Sequence, residues 1–293
     1  MSAPAAEGFP ASRTFHHSRF DAARVAAART ESVTVCLPAR ECASTIGTIV
    51  ETLVGLRAQG VLDTILVVDA ASADGTAEIA AAAGAEVVQE SALVPGAGAV
   101  LGKGDAMWRA LSVIGSEIVC FLDADSEEFD PHFATGLLGP LVCEPGVSFV
   151  KAFYERPFVH DGVRVPRAGG RVNHLMARPA LSLFYPALAA VRQPLAGEVA
   201  ARRELLERIP FATGYGVEIA MLIDVWREVG LEGIAQVDLD EHRNRNQPLG
   251  ALSEMAQTVL ATIALRVEQE GRLRPGVAGA PLERPPLRLA RAA

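Results

Sequence analysis

The sequence predicts an α/β fold with a mostly parallel central sheet flanked by helices. Three observations carry that expectation. From Ser32 to Asp125, short apolar runs alternate with helical stretches, and such alternation builds parallel sheets with right-handed crossovers. Two of the runs, Thr64–Asp69 and Ile118–Asp125, are apolar along nearly their whole length, as strands covered on both faces are. Each then ends abruptly in aspartate. Carboxylates resist burial, but the carboxyl edge of an open sheet, where ligands bind, accommodates them.

Size and composition bound the answer further. A chain of 293 residues, 50% hydrophobic and 21% charged, suits one large domain or one domain with a small appendage. A net charge of −8 argues against a general nucleic-acid surface, though not against a local basic pocket. No apolar run reaches membrane-spanning length. Met1 to about Thr30 lacks the apolar core of a signal peptide and reads as a loosely held arm or an amphipathic helix. Cys36, Cys42, Cys120 and Cys143 lack zinc-type spacing, and a reducing cytoplasm fits them.

The elements follow in order. Ser32–Leu37 reads as the first strand, interrupted by Pro38-Ala39-Arg40-Glu41, and Ser44-Thr45-Ile46 opens a helix to about Gln59. Thr64–Asp69 is the second strand. Ala70–Thr76 is a turn and helix cap before an Ala-rich helix. Glu86–Gln89 is a short third strand, Lys103–Ile114 a helix, and the Asp-x-Asp strand comes next. Beyond Asp125, strands are expected near Val147–Tyr154 and Ile234–Leu239. Helices are expected at Gly170–Leu183, Arg202–Arg208, Val217–Val229 and Leu249–Gln269. The division expected is an arm (1–31), a first half (32–126), a second half of the same domain (127–270) and a mobile tail (271–293), which is rich in Pro, Arg and Ala.

The chemistry centres on Asp123-Ala124-Asp125. A divalent cation would relieve the repulsion of two carboxylates one residue apart, and hard cations prefer oxygen. Alone, the motif reads equally as a surface turn whose aspartate caps Asp-Ser-Glu-Glu. The first strand is not followed by Gly-x-Gly-x-x-Gly, and Gly102-Lys103-Gly104 is not a Walker-type loop, so neither a dinucleotide nor a P-loop site is implied. Lys103 could reach a phosphate as a point charge, although ordinary surface lysines are commoner. Glu41 could accept from a ribose hydroxyl or supply helix N-terminal charge. Asp69 could meet a base edge or form an Asx turn with Ser72. Gly169-Gly170-Arg171-Val172-Asn173 opens a helix whose N–H groups, with the Arg171 guanidinium, suit an anion.

Val35–Glu41, Val67–Thr76 and Asp123-Ala124-Asp125, in that order and spacing, resemble nucleotide-sugar glycosyltransferases of the GT-A fold. Gly169–Asn173, Gln193–Glu198, Gly214–Glu218 and His242-Arg243-Asn244-Arg245 narrow the resemblance to the glucosyl-3-phosphoglycerate and mannosyl-3-phosphoglycerate synthases, over about Ser32 to Ala264. The resemblance implies a retaining hexosyltransferase. It would move glucose from UDP-glucose, or mannose from GDP-mannose, to the 2-hydroxyl of 3-phosphoglycerate, in the pathway to a compatible solute or to methylglucose polysaccharide. It implies Asp125 and His242 as ligands of Mg²⁺ or Mn²⁺. It assigns the donor to Pro38, Ala39, Glu41, Asp69, Ser72, Lys103, Asp123, Ala124, Glu218, Arg243 and Arg245. It assigns the acceptor to Gly170, Arg171, Val172 and Asn173, and catalysis to Asp125, Glu218 and the Leu195 carbonyl. A cytoplasmic homodimer, with Leu249–Gln269 as a possible interface and neither nucleic acid nor membrane as partner, is also implied.

The chain departs from the family pattern at Arg40-Glu41-Cys42, where Asn-Glu-Glu is frequent, at Ala124, where serine is frequent, and at Asn173, where glucosyl enzymes carry threonine. The rivals are a lipid-acceptor or processive glycosyltransferase, a nucleotidyltransferase and a non-catalytic sugar-nucleotide-binding protein. The first lacks its Gln-x-x-Arg-Trp-type motif here, the second its Gly-rich loop. The third leaves Asp123, Asp125, Lys103, Glu218 and His242 unexplained as a set.

Overall fold

The computed structural model describes residues 9–156, 158–160, 163–165, 169–242 and 249–272. The chain opens with strand β1 (Thr14–His16) and helix α1 (Ala22–Ala28). Strands β2 (Val33–Ala39), β3 (Thr64–Asp69), β4 (Glu86–Gln89) and β5 (Ile118–Phe121) then alternate with helices α2 (Ile46–Ala58), α3 (Thr76–Ala83) and α4 (Lys103–Ala110). Helix α5 (His132–Cys143), β6 (Phe149–Glu155) and a separate hairpin of β7 (Phe158–His160) and β8 (Val163–Val165) follow. Helix α6 (Arg178–Phe184), β9 (Val199–Arg202), α7 (Arg203–Arg208), α8 (Val217–Val229), β10 (Ile234–Glu241) and α9 (Leu249–Gln269) complete the described fold.

Eight strands make one sheet in the order β1-β10-β6-β9-β5-β2-β3-β4. All neighbours are parallel except β9, which runs antiparallel to both β5 and β6. The period of two explains why both faces are apolar. Val35, Leu37, Ile65, Val67, Ile118 and Cys120 point to the side covered by α1, α2, α3 and α5. Cys36, Leu66, Val68, Val119 and Phe121 point to the side covered by α4, α6, α7, α8 and α9. Strands with two buried faces need no polar alternation, which is why their sequence runs are continuous.

Four expectations change. The first strand runs through Pro38 to Ala39 and pairs with Val68 and Asp69; beyond Cys36, β5 no longer lies beside it, so the missing N–H costs little there. From residue 9 on, the arm is built into the fold: β1 extends the sheet beside β10, and Phe15, Phe20 and Val25 are buried. Phe20 fills a slot that exists because residue 139 is glycine; a Cβ there would lie 2.2 Å from its ring. Strand β9 was not anticipated, as no element was assigned to Val199–Ala201; its small alanines let it insert between β5 and β6 with Ala200 and Ala201 buried. The helix expected at Gly170–Leu183 contains a π turn over Asn173–Ala177 before α6, where Pro179 cannot donate to the preceding turn. Residues 273–293, most of the expected tail, lie outside the described residues.

Candidate active site

Because β2, β3, β5, β6 and β10 are parallel, their carboxyl ends share one edge of the sheet. β9 begins at that edge, so the loop leading into it, Leu195–Glu198, lies there too. A cavity of about 710 Å³ opens along this edge. Pro38, Ala39, Lys103, Asp123, Ala124, Asp125, Gly170, Arg171, Val172, Asn173, Leu195, Glu218 and His242 all line it. Residues more than a hundred positions apart are thus gathered by topology alone.

Lys103 stands at the start of α4 and bridges two carboxylates. Its Nζ donates to Asp123 Oδ1 at 2.6 Å and lies 3.2 Å from Glu218 Oε1. Burial pulls the lysine down, but the charges of Asp123 and Glu218 outweigh it and hold the ammonium above lysine's ordinary range. Burial likewise pushes Asp123 up, and the Lys103 charge and hydrogen bond reverse this, to about 2. Gly197 makes room for the pair: a Cβ there would fall 2.5 Å from Lys103 Nζ and 2.7 Å from Asp123 Oδ1.

Asp125 has the opposite balance. Burial and the neighbouring Asp123 charge raise its carboxyl. A divalent cation is the natural relief for such a group. His242 follows β10 and is buried. Its Nε2 lies 2.8 Å from Ser126 Oγ and 3.4 Å from Glu198 Oε1, while Nδ1 has no hydrogen-bond partner. The electrostatic influence of His242 reaches both Asp123 and Asp125. A raised carboxylate and an orphaned imidazole nitrogen on one cavity form an oxygen–nitrogen donor set that fits Mg²⁺ or Mn²⁺.

Glu41, Asp69 and Ser72 do not line the cavity. They lock two loops together: Glu41 N–H donates to Ser72 Oγ at 2.9 Å, and Ala73 N–H to Glu41 Oε1 at 2.8 Å. Glu41 holds a left-handed backbone, φ 52°. Asp69 forms the Asx turn, accepting from Ser72 N–H at 3.1 Å and from Gln89 Nε2 at 2.8 Å on Oδ2, while its buried Oδ1 has no partner. Arg243 and Arg245 lie outside the described residues.

The acceptor segment is tied to the expected reaction centre. Asn173 is buried, and its Oδ1 accepts from the Leu195 backbone N–H at 3.3 Å. Several groups were not singled out from the sequence. Lys151 is buried in β6, donates to the Ala196 carbonyl at 2.8 Å, and is pulled down to about 8 by burial. Tyr154 OH donates to Glu198 Oε2 at 2.8 Å and accepts from Arg156 at 2.8 Å. Arg40, Gln193 and Tyr215, which the sequence offered only as members of longer motifs, also line the cavity. A charged residue inside an apolar strand run, as Lys151 is in Val-Lys-Ala-Phe, was the available signal. The helix Leu249–Gln269, expected as a possible interface, turns Leu252, Met255 and Val259 to the cavity.

An open, mostly parallel sheet with an Asp-x-Asp turn, a clamped lysine and a distant histidine on one cleft defines a nucleotide-sugar-dependent glycosyltransferase of the GT-A fold. The comparisons agree. Residues 34–192 match the model of glycosyl transferase family 2. A glucosyl-3-phosphoglycerate synthase from Petrotoga mobilis is 41% identical over 89% of this chain and 82% of its own. The crystal structure of mannosyl-3-phosphoglycerate synthase from Rubrobacter xylanophilus superposes with a TM-score of 0.83 at 47% identity, over 92% of this chain and 86% of that one. Glucosyl-3-phosphoglycerate synthase from Mycobacterium tuberculosis, solved with Mn²⁺, UDP and glucosyl-3-phosphoglycerate, has a TM-score of 0.79 at 38% identity, over 90% of this chain and 89% of that one. The chain belongs to glycosyl transferase family 2 and, within it, to the glucosyl- and mannosyl-3-phosphoglycerate synthase family.

Proposed function

We propose that the chain transfers glucose from UDP-glucose to the 2-hydroxyl of 3-phosphoglycerate with retention at the anomeric carbon. The observation that carries this reading is the single cavity that joins the Asp-x-Asp turn, Lys103 and the Gly170–Asn173 segment. The M. tuberculosis relative binds UDP, glucosyl-3-phosphoglycerate and Mn²⁺, and has also been solved with Mg²⁺ and UDP. Residues 32–126 serve as the donor half and 127–270 as the acceptor half of one domain.

In this reading Asp125 and His242 Nδ1 hold Mg²⁺ or Mn²⁺, which when bound offsets charge developing on the departing diphosphate. Pro38, Ala39 and Ala124 border the nucleoside, and Asp69, buried one residue before cavity-lining Ala70, shapes that wall through its Asx turn with Ser72. Glu41 and Ser72 act by fixing those loops, and Arg243 and Arg245 neutralise phosphate. Lys103 exchanges its carboxylate partners for a donor phosphate, which frees Asp123 and Glu218 for sugar hydroxyls. Gly170, Arg171, Val172 and Asn173 bind the acceptor's carboxylate and phosphate. The bond from Asn173 to Leu195 couples acceptor seating to the placement of the Leu195 carbonyl beside the reacting carbon. No side-chain nucleophile is required when the leaving diphosphate takes the acceptor's proton on the same face.

Transfer of mannose from GDP-mannose is the second reading, favoured by the likeness to the Rubrobacter enzyme. A donor panel decides between them. Purified protein with Mn²⁺ and 3-phosphoglycerate is expected to turn over UDP-glucose fastest; faster turnover of GDP-mannose reverses the assignment, and turnover of neither removes the acceptor. A cytoplasmic homodimer is part of the proposal, with the exposed Leu260 and Leu265 of α9 as its surface. No helix among the described residues is long and apolar enough to cross a membrane.

A further inference from the structure

Away from the cleft, at the joint between the arm and the sheet, His16, His17 and Asp240 bring their ligand atoms within 4.8 Å of one another. His16 Nε2 lies 3.0 Å from Asp240 Oδ1, and His17 Nε2 lies 2.7 Å from Oδ2. Two imidazoles thus meet the two oxygens of one carboxylate. We propose that His16 Nε2, His17 Nε2 and the Asp240 carboxylate form a binding site for a borderline transition-metal cation such as Zn²⁺, separate from the catalytic centre.

The donor set selects the metal class. Two imidazole nitrogens and a carboxylate suit Zn²⁺ and its neighbours, whereas Mg²⁺ prefers oxygen and keeps its waters. Ligand atoms about 2.0–2.1 Å from a tetrahedral zinc stand roughly 3.3 Å apart, so the imidazole–carboxylate contacts of 3.0 and 2.7 Å open slightly, and the two imidazole nitrogens, within 4.8 Å of each other, come to the same spacing. The side chains of His16 and Asp240 are 46% and 60% exposed, which leaves the outer side of the site open to a water ligand.

The ligands are held in advance of the metal. The backbone shifts register between Asp238 and Glu241, and Asp240 sits in the left-handed region at φ 61°, a conformation aspartate tolerates better than most residues. The His17 ring stacks on His16 at 4.4 Å and on His132 at 4.2 Å. His132 is itself fixed by Asp130 and by the Leu239 carbonyl, so it serves as a wall rather than a ligand. Ser18 completes the outer layer. Its backbone N–H donates to His16 Nδ1 at 3.2 Å, and its Oγ lies 2.8 Å from the same nitrogen. When metal takes Nε2, the imidazole proton moves to Nδ1 with Ser18 Oγ at 2.8 Å as its acceptor, and the bond from Ser18 N–H to that nitrogen is given up.

Occupancy would fasten the arm, through His16 and His17, to the strand that leads into His242. Equilibrium dialysis of the full chain against Zn²⁺, with Mg²⁺ in excess, tests it. Wild type and Asp125→Ala are each expected to bind Zn²⁺ at this site, and Zn²⁺ is expected to raise the Tm of both. His17→Ala and the near-isosteric Asp240→Asn are each expected to weaken binding at least tenfold. Co²⁺ is expected to show tetrahedral d–d absorption in wild type that both variants lose. Zn²⁺ binding unchanged in Asp240→Asn, or lost in Asp125→Ala alone, overturns the proposal; should His17→Ala not fold, Asp240→Asn decides.

Discussion

Lys103 Nζ donates to Asp123 Oδ1 at 2.6 Å, and the same ammonium stands 3.2 Å from Glu218 Oε1. One cation thus holds a carboxylate of the Asp-x-Asp turn and a carboxylate of α8 together in the cleft. Replacing it by methionine leaves both acids without their counter-charge. Lys103→Met is expected to lose roughly 2–4 kcal/mol of stability, less than a fully buried pair would, because the lysine side chain is 28% exposed. Urea unfolding measures the loss, and UDP titration is expected to show weakened binding. Unchanged stability would mean that the pair is a solvated contact.

Acid titration isolates the other partner. The folded carboxyl of Asp123 lies near 2, below its ordinary 3.8. Its contribution to stability is therefore present above about pH 4 and is lost as pH falls through 2. Wild type is expected to lose stability more steeply than Asp123→Asn between these limits, and parallel curves would contradict the pairing.

Asp125 runs the opposite way. Its carboxyl is raised by burial and by Asp123, so its ionised form destabilises the metal-free fold at neutral pH. Asp125→Asn is expected to raise the Tm of the chelator-treated protein, by about 2–4 °C per kcal/mol relieved. The same change is expected to abolish both the Tm rise on adding Mn²⁺ and turnover. A Tm rise on adding Mn²⁺ that persists in Asp125→Asn would remove Asp125 from the metal site.

Glu198 faces His242 Nε2 at 3.4 Å with an otherwise partnerless Oε1. Carboxylates that orient a metal-binding histidine typically contribute 10–100-fold in metal affinity. Glu198→Gln is expected to lower Mn²⁺ affinity by that order, read by electron paramagnetic resonance of free Mn²⁺, while the far-ultraviolet spectrum stays unchanged. Affinity within twofold of wild type would separate Glu198 from metal binding.

The parts legible in the sequence were those whose physics is local. The continuous apolar runs of β2, β3 and β5 announced a doubly covered parallel sheet, and their terminal aspartates announced its carboxyl edge. Val217–Val229 and Leu249–Gln269 were legible because helical patterning is regular over three turns or more. Strand β9 was not, because the four-residue run Val-Ala-Ala-Arg carries no strand signal until β5 and β6 flank it. In the site, Asp123 and Asp125 stood out by motif, whereas Lys103 rested on the family resemblance. His242 needed the family resemblance, since no spacing rule links it to Asp125. Glu41 and Ser72, expected at the ligand, do not line the cavity and bond across the loops beside it; the same acceptor oxygens serve either role, so sequence does not separate the two. Lys151, whose Nζ supports the Ala196 carbonyl, was hidden inside a strand.

The docking of the arm has a consequence for the sheet as a whole. At one border, β4 carries Glu86 and Gln89, polar residues that discourage further strand addition. At the other, β10 mixes apolar Ile234, Ala235, Val237 and Leu239 with polar residues and is closed by the three residues of β1. A chain begun at Ser32 would leave the row of N–H and C=O groups along β10 unsatisfied and the Phe20 slot beside Gly139 empty. Such an edge is a template for a neighbouring molecule, so the first described residues act as the guard that keeps this sheet from growing across copies.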